Sequence, residues 1–231
     1  MFLPGRMSCW VPSNMLITGA MLYYQKSPAQ VIFWQFANQT VNATVNYTNR
    51  SGENDIPVSI LLRNFVGATV LAGGVAMGVK RYAPKSGVIS RLSPFFAVCA
   101  ANGLNTSLMR SDELEHGITV LDKNGESLGV SKIAAKWAVF QVVLQRVMCA
   151  IPAMAFPLFG MIYIEKKFPK FVARSRFVSP VTQVGLVGLG LLIGNPLTCA
   201  VFRQQAPIQS DQLEIEFQSK PAQTGFYNKG L

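Results

Sequence analysis

Six amide side chains lie within a segment of the chain that carries no charge. Residues 27–49 contain no Asp, Glu, Lys or Arg, and from residue 31 onwards their amides are Gln35, Asn38, Gln39, Asn42, Asn46 and Asn49. On an α-helix, at about 100° per residue, all six fall within an arc of about 100°. An amide without a hydrogen bond in hydrocarbon would cost about 1–3 kcal/mol or more. This amide ribbon therefore predicts a helix face turned toward other helices or a wet cavity, and it is the best candidate for a substrate path.

The composition indicates the kind of protein in which such a ribbon would lie. Half of the 231 residues are hydrophobic, only 14% are charged, and the mean hydropathy is +0.29, which is too apolar for an ordinary soluble domain. Long uncharged runs approach or exceed the about 17–25 residues of a spanning helix. We predict an all-α, multi-pass transmembrane helical protein with about five spans. The runs are 7–25, 27–49, 64–79, 92–109 and 177–202, with 137–164 interrupted only by Arg146.

Three parts follow from this pattern. Residues 1–26 form an interfacial or first membrane segment, in which Pro12 and Asn14 would interrupt a spanning helix. Residues 27–202 form the transmembrane helical domain, with a polar loop at 110–136. Residues 203–231 are expected to be a C-terminal polar tail.

The net charge of +10 resides mainly in the loops between hydrophobic segments. Basic residues crowd the connections at 80–91 and 166–176, which is typical of the positive-inside bias of membrane proteins. No basic face interleaved with aromatic residues marks a soluble unit. The sequence therefore predicts a lipid bilayer as a partner and no nucleic acid.

Patterns that would indicate an enzyme are missing from the sequence. It has no nucleotide-binding loop, no catalytic triad, no paired carboxylates and no cluster with metal-ligand spacing. The four cysteines are far apart and lie in apolar runs, where they are expected to act as small buried hydrophobes. We predict no catalytic residues, no cofactor and no metal.

Three further polar positions in the apolar runs are candidates for the path. Asn102 and Asn105 are three residues apart, so they share one side of a helix and either extend the ribbon or bond neighbouring helices. Arg146 places a charge within a predicted span, and such a residue is by default a candidate for a functional site. It would pair with a substrate carboxylate, or else neutralise a helix C-terminus or snorkel to the interface.

Proline and glycine mark two other segments. Pro196 removes a backbone donor after Asn195, so the last span is expected to kink or unwind there, lining a substrate site or bending near the membrane surface. In the span at 65–79, glycines are expected to let helix backbones approach closely. They are Gly67, Gly73, Gly74 and Gly78.

Several longer strings together resemble the sideroflexin family. The most specific begins at Phe33-Trp34-Gln35 and continues through the ribbon to Asn49-Arg50. The resemblance runs nearly end to end. Its other strings are Leu108-Met109-Arg110 with Glu113-Leu114, Gly117-Ile118, Asp122 to Gly125, Leu128-Gly129 with Ser131, and Tyr227 to Leu231.

The resemblance implies a multi-pass protein of the mitochondrial inner membrane that transports an amino acid, with serine as the leading substrate. Two departures from the family pattern stand out. The hydrophilic N-terminal region with its His-Pro-Asp-Thr motif is absent, so the chain is expected to be a fragment, an alternative product or a gene model with a missing start, and to be impaired if transport needs that region. In addition, Arg203 follows Phe202 where the family often has proline.

Our leading hypothesis is transport of a small neutral amino acid, most simply serine, along the amide ribbon. Amides can bond a hydroxyl or a carboxylate while leaving the cavity uncharged. Two alternatives from other classes stay open. One is a small-anion carrier resembling tricarboxylate transporters, which would need more buried positive charge than Arg146 supplies. The other is a non-transporting scaffold in respiratory-chain or iron and haem metabolism, with protein partners that the sequence does not identify.

Overall fold

A computed structural model describes residues 7–48, 58–83, 87–123, 125–214, 217 and 224–229. The chain divides into two compact units. The first combines Met1–Asn105 with Val147–Leu197, and the second combines Thr106–Arg146 with Thr198–Leu231.

Helices dominate the described residues, which confirms the multi-pass helical class. Three of them, α3, α7 and α9, are long and apolar enough to cross a membrane. The 21-residue α2 has the length to do so and carries the amide ribbon, whereas α1 and α5 have 17 residues each. The helices are α1 (Met7–Tyr23), α2 (Pro28–Thr48), α3 (Val58–Tyr82), α4 (Val88–Arg91), α5 (Ser93–Met109), α6 (Ser111–His116), α7 (Lys132–Lys167), α8 (Pro169–Ala173) and α9 (Val178–Val201).

The predicted interruption at Pro12 and the predicted unwinding at Asn195 and Pro196 are wrong. α1 runs through Pro12, and α9 runs through Asn195 and Pro196 without unwinding. Each proline removes one backbone donor, a loss that packing against neighbouring helices can outweigh. Residues flanking Pro12 pack against a buried apolar cluster, which keeps α1 helical.

That cluster joins α1, α7 and α9 within the first unit. Its buried members are Met21, Leu22, Ala153, Met154, Val187 and Leu191. Glycines bring the helices close: a Cβ added at Gly190 would lie 2.8 Å from the Pro152 carbonyl carbon, and one at Gly19 would lie 2.9 Å from the Val184 Cα. Neither position has room for a side chain.

The helix α3 uses alanines for close packing, which corrects the prediction for its glycines. A Cβ at Gly73, Gly74 or Gly78 would meet nothing within 4 Å, and only Gly67 has a neighbour, the Leu104 side chain. The buried positions of α3 are instead Asn64, Ala68, Ala72 and Ala76. Their spacing of four residues forms a continuous helix face, whereas the glycines fall on other faces.

The second unit contains a four-stranded antiparallel sheet in the order β2-β1-β4-β3. Its strands come from the segments expected to be a polar loop and a polar tail. They are β1 (Ile118–Leu121), β2 (Ser127–Ser131), β3 (Gln205–Gln209) and β4 (Thr224–Asn228). In the pairing of β1 with β4, Val120 lies opposite Tyr227, and both side chains belong to a core that also includes Ala134 and Ala138 at the start of α7.

The start of α7 is capped by two side chains of the second unit. The Ser131 hydroxyl accepts a hydrogen bond from the Ala134 backbone N–H at 3.0 Å, and Glu214 Oε1 accepts from the N–H groups of Lys132 and Ile133 at 2.7 and 3.0 Å. Burial alone would raise the pKa of Glu214, but these amides and the Ser131 hydroxyl together hold that pKa below its ordinary value. The C-terminal region is thereby bound to the first turn of α7.

Candidate functional site

A pocket in the first unit lies among α2, α3 and α5, and four amide side chains line it. Its empty volume is about 250 Å³ including its opening, and the closed part has room for about one water molecule. None of the lining residues is ionisable. They are Gln39, Asn42 and Ala43 from α2, Leu61, Asn64, Phe65 and Ala68 from α3, and Asn105 from α5.

Helical spacing explains why these residues meet. Gln39 and Asn42 are three apart on α2, and Leu61, Asn64, Phe65 and Ala68 follow the i, i+3, i+4, i+7 pattern of one face of α3. The same three helices pack tightly elsewhere through a cluster of small residues. Its buried members are Val31, Ala68, Ala72, Ala76, Ala97 and Ala101. Small residues thus bring the helices together, and the amides lie where that packing gives way to the pocket.

Several amides of α2 and α3, two of which line the pocket, are buried without a hydrogen-bond partner among the described residues. The unpartnered atoms are both amide atoms of Gln35 and Asn64, Nδ2 of Asn38 and Nε2 of Gln39. These four residues are at most 4% exposed. Since buried polar groups in native proteins are nearly always satisfied, a concentration of unsatisfied amides indicates a surface that bonds water or a ligand.

The predicted path residues separate into four groups. Gln39, Asn42 and Asn105 line the pocket, and Gln35 and Asn38 are buried on the same helix without lining it. Asn49 and the side chain of Asn46 lie outside the described residues. The pocket lining does not include Asn102, Asn195 or Arg146, all three of which are partly buried.

Arg146 lies on α7 in the segment assigned to the second unit, and Asn195 lies on α9 with its Oδ1 atom buried and unpartnered among the described residues. Neither residue is among those that line the pocket. Their roles as path residues stay predictions.

Asn64 was missed in the sequence, and it is one of the most buried polar residues at 2% exposure. It follows Arg63 directly at the start of an uncharged run, so it reads as a helix end rather than a buried position. The signal that could have found it is the series Asn64, Ala68, Ala72 and Ala76. Its four-residue spacing places the amide on the face that carries the small residues.

The lining chemistry favours an uncharged or zwitterionic ligand. Amides both donate and accept hydrogen bonds, and Leu61 and Phe65 add apolar surface. Nowhere in the described part of the chain do three or more His, Cys, Asp or Glu side chains come together as a metal site would require.

Comparison with known proteins identifies the family. A model of the sideroflexin family matches residues 1–231. The chain belongs to the sideroflexins. It is 45% identical to sideroflexin-1 of Sus scrofa and 44% identical to that of Homo sapiens, with all of this chain and 73% of each relative covered. It is 46% identical to sideroflexin-3 of Homo sapiens, over 98% of this chain and 72% of the relative.

No solved structure matches this chain. In this sideroflexin, the pocket is formed by contacts among α2, α3 and α5. The string from Phe33 to Arg50 that carried the resemblance overlaps α2, the helix that contributes Gln39 and Asn42 to the pocket. The most specific family string and the pocket therefore share one helix.

Proposed function

We propose that this sideroflexin is a carrier of the mitochondrial inner membrane that transports a small neutral amino acid, with serine as the leading substrate. The observation that carries the proposal is the pocket among α2, α3 and α5, in which four amides and no ionisable side chain form the lining. Family membership supports a carrier-type role.

The pocket suits a small zwitterion better than an anion. A zwitterion has no net charge, so an uncharged lining can hold it by hydrogen bonds alone, and amides supply both donors and acceptors. A tricarboxylate would need cationic partners, because a buried anion without them is strongly disfavoured. The lining offers none.

Buried amides without hydrogen-bond partners are less expected in a non-transporting scaffold protein. Amides that only join helices would bond each other, whereas Asn64 and Gln39 keep buried amide atoms unpartnered among the described residues. Such atoms destabilise a fold by about 1–3 kcal/mol each. A ligand that bonds them offsets that cost.

Transport also needs the pocket to change size. The closed part holds about one water molecule, and serine is several times larger. In this proposal α2, α3 and α5 separate to admit the substrate, in keeping with alternating access by moving helix groups.

Uptake of labelled L-serine into proteoliposomes tests the proposal. The full chain is reconstituted as wild type, as Asn42→Leu and as Thr40→Val, a control at an exposed residue of the same helix whose hydroxyl bonds the Phe36 carbonyl within that helix. We expect Asn42→Leu to lower uptake about 10-fold or more, because a lost polar contact in a water-excluded site removes binding energy of about 1.4 kcal/mol or more.

Thr40→Val is expected to transport like the wild type. Unchanged uptake by Asn42→Leu, or no serine uptake by the wild type, would contradict the proposal.

A further inference from the structure

Asn64 differs from the other pocket amides in its surroundings. The remaining residues that α3 contributes to the lining are Leu61, Phe65 and Ala68, all of them apolar. Gln39, Asn42 and Asn105, by contrast, come from α2 and α5. The pocket therefore has a part rich in amides and a part, supplied by α3, that is apolar except for one amide.

The Asn64 amide can bond a ligand through both of its atoms once the helices separate. Its side chain is 2% exposed, and neither Nδ2 nor Oδ1 has a hydrogen-bond partner among the described residues. An asparagine amide carries one acceptor and two donors, so it can bond a hydroxyl that both donates and accepts.

An amino acid with a small polar side chain matches this division. Its carboxylate and ammonium groups need several partners, which α2 and α5 supply. Its side chain needs an apolar surface for the methylene group and a single polar partner for the hydroxyl, which α3 supplies. We infer that Asn64 is the selectivity residue of this pocket, and that it bonds the side-chain hydroxyl of the substrate.

This inference rests on the proposed function and goes beyond it, because it predicts which substrates are rejected. Alanine lacks the hydroxyl, so alanine in the pocket would leave the Asn64 amide buried and unpaired. Sites that bond a substrate hydroxyl discriminate strongly against analogues without it for this reason. Removing the amide removes the penalty on alanine together with the contact to serine.

The test measures the ratio of L-serine to L-alanine uptake by full-length chain in proteoliposomes. The wild type is compared with Asn64→Leu, which has a similar shape, and with Asn64→Ala. The matched control is Gln183→Leu on α9, where a buried amide with an unpartnered Nε2 lies outside the pocket lining. Because the ratio is taken within each preparation, the amount of active protein does not affect it.

We expect the wild type to prefer serine and both Asn64 variants to lose that preference by about 10-fold or more, while Gln183→Leu keeps the wild-type ratio. Asn64→Leu is also expected to melt at or above the wild-type temperature in detergent, since it replaces two unpartnered polar atoms by apolar ones. A merely structural role for Asn64 would instead lower the melting temperature and leave the ratio unchanged.

Two results would overturn the inference in different ways. A wild type that prefers serine, with Asn64 variants that keep the same preference, contradicts only the assignment of Asn64. A wild type that takes up neither amino acid contradicts the proposed function and removes the inference with it.

Discussion

The first unit contains two helix interfaces that are packed in different ways. Where α9 meets α1 and α7, the buried cluster is apolar and glycines such as Gly190 leave no room for a side chain. Where α3 meets α2 and α5, alanines pack along one stretch, and a pocket with unpartnered amides follows.

Residues at the first interface stabilise the fold, whereas the unpartnered amides at the second destabilise it. The cluster of α1, α7 and α9 has only apolar members and little space, so its contacts stabilise the fold. Buried amides without partners lower stability, and α2 and α3 concentrate them at Gln35, Asn38, Gln39 and Asn64, whereas α9 carries single ones at Gln183 and Asn195. A concentration of this kind indicates another use that offsets the loss. The contrast between these interfaces therefore indicates where a function resides.

The largest effect is expected at the glycine interface. In Gly190→Ala, the new Cβ would overlap the Pro152 carbonyl group, which is backbone and cannot rotate away. We expect a loss of about 3 kcal/mol or more in stability, at the upper end of overpacking costs. Thermal unfolding of the purified protein in detergent measures it.

Gly74→Ala on α3 is the control for that substitution, because its Cβ would meet nothing within 4 Å. Alanine there is expected to leave stability unchanged or raise it by about 0.5–1 kcal/mol through helix propensity. Equal losses at both glycines would contradict the distinction between the interfaces.

A smaller effect of opposite sign is expected in the amide pocket. Gln39→Met keeps a similar side-chain volume and removes the buried, unpartnered Nε2 atom. We expect stability to rise by about 1 kcal/mol, because an unsatisfied donor is lost, and serine uptake to fall. The same melting and uptake measurements report both changes. A drop in stability would mean that Gln39 supports the fold and that the interfaces do not differ as described.

Much of the helical architecture could be predicted from the sequence. The uncharged runs indicated the long helices, and the angular arc of the amide ribbon placed Gln39 and Asn42 on a protected face. These signals are local, since they depend on hydrophobicity and on the 3.6-residue period. The glycines of α3 show their limit, because spacing alone does not say which small residues face a neighbour.

Long-range contacts explain what the sequence did not indicate. The sheet pairs β1 with β4, in which Val120 and Tyr227 are 107 positions apart in the sequence. Its strands of four or five residues are too short to stand out in segments expected to be loop and tail. The role of Asn64 depends on contacts of α3 with α2 and α5, because the pocket forms only where those helices meet. Residues beside Pro12 pack against a buried cluster, and packing of this kind is not included in helix propensity.

Ligand-induced thermal stabilisation tests the central claim most directly, namely that the pocket among α2, α3 and α5 binds a small neutral amino acid. A ligand that binds only the folded protein raises its apparent stability, by about 2.7 kcal/mol at a concentration of 100 times Kd. We predict that L-serine raises the melting temperature of the wild type but not of Asn42→Leu, and that aspartate and citrate have no effect. No shift with serine, the same shift in Asn42→Leu, or a shift with citrate would contradict the claim.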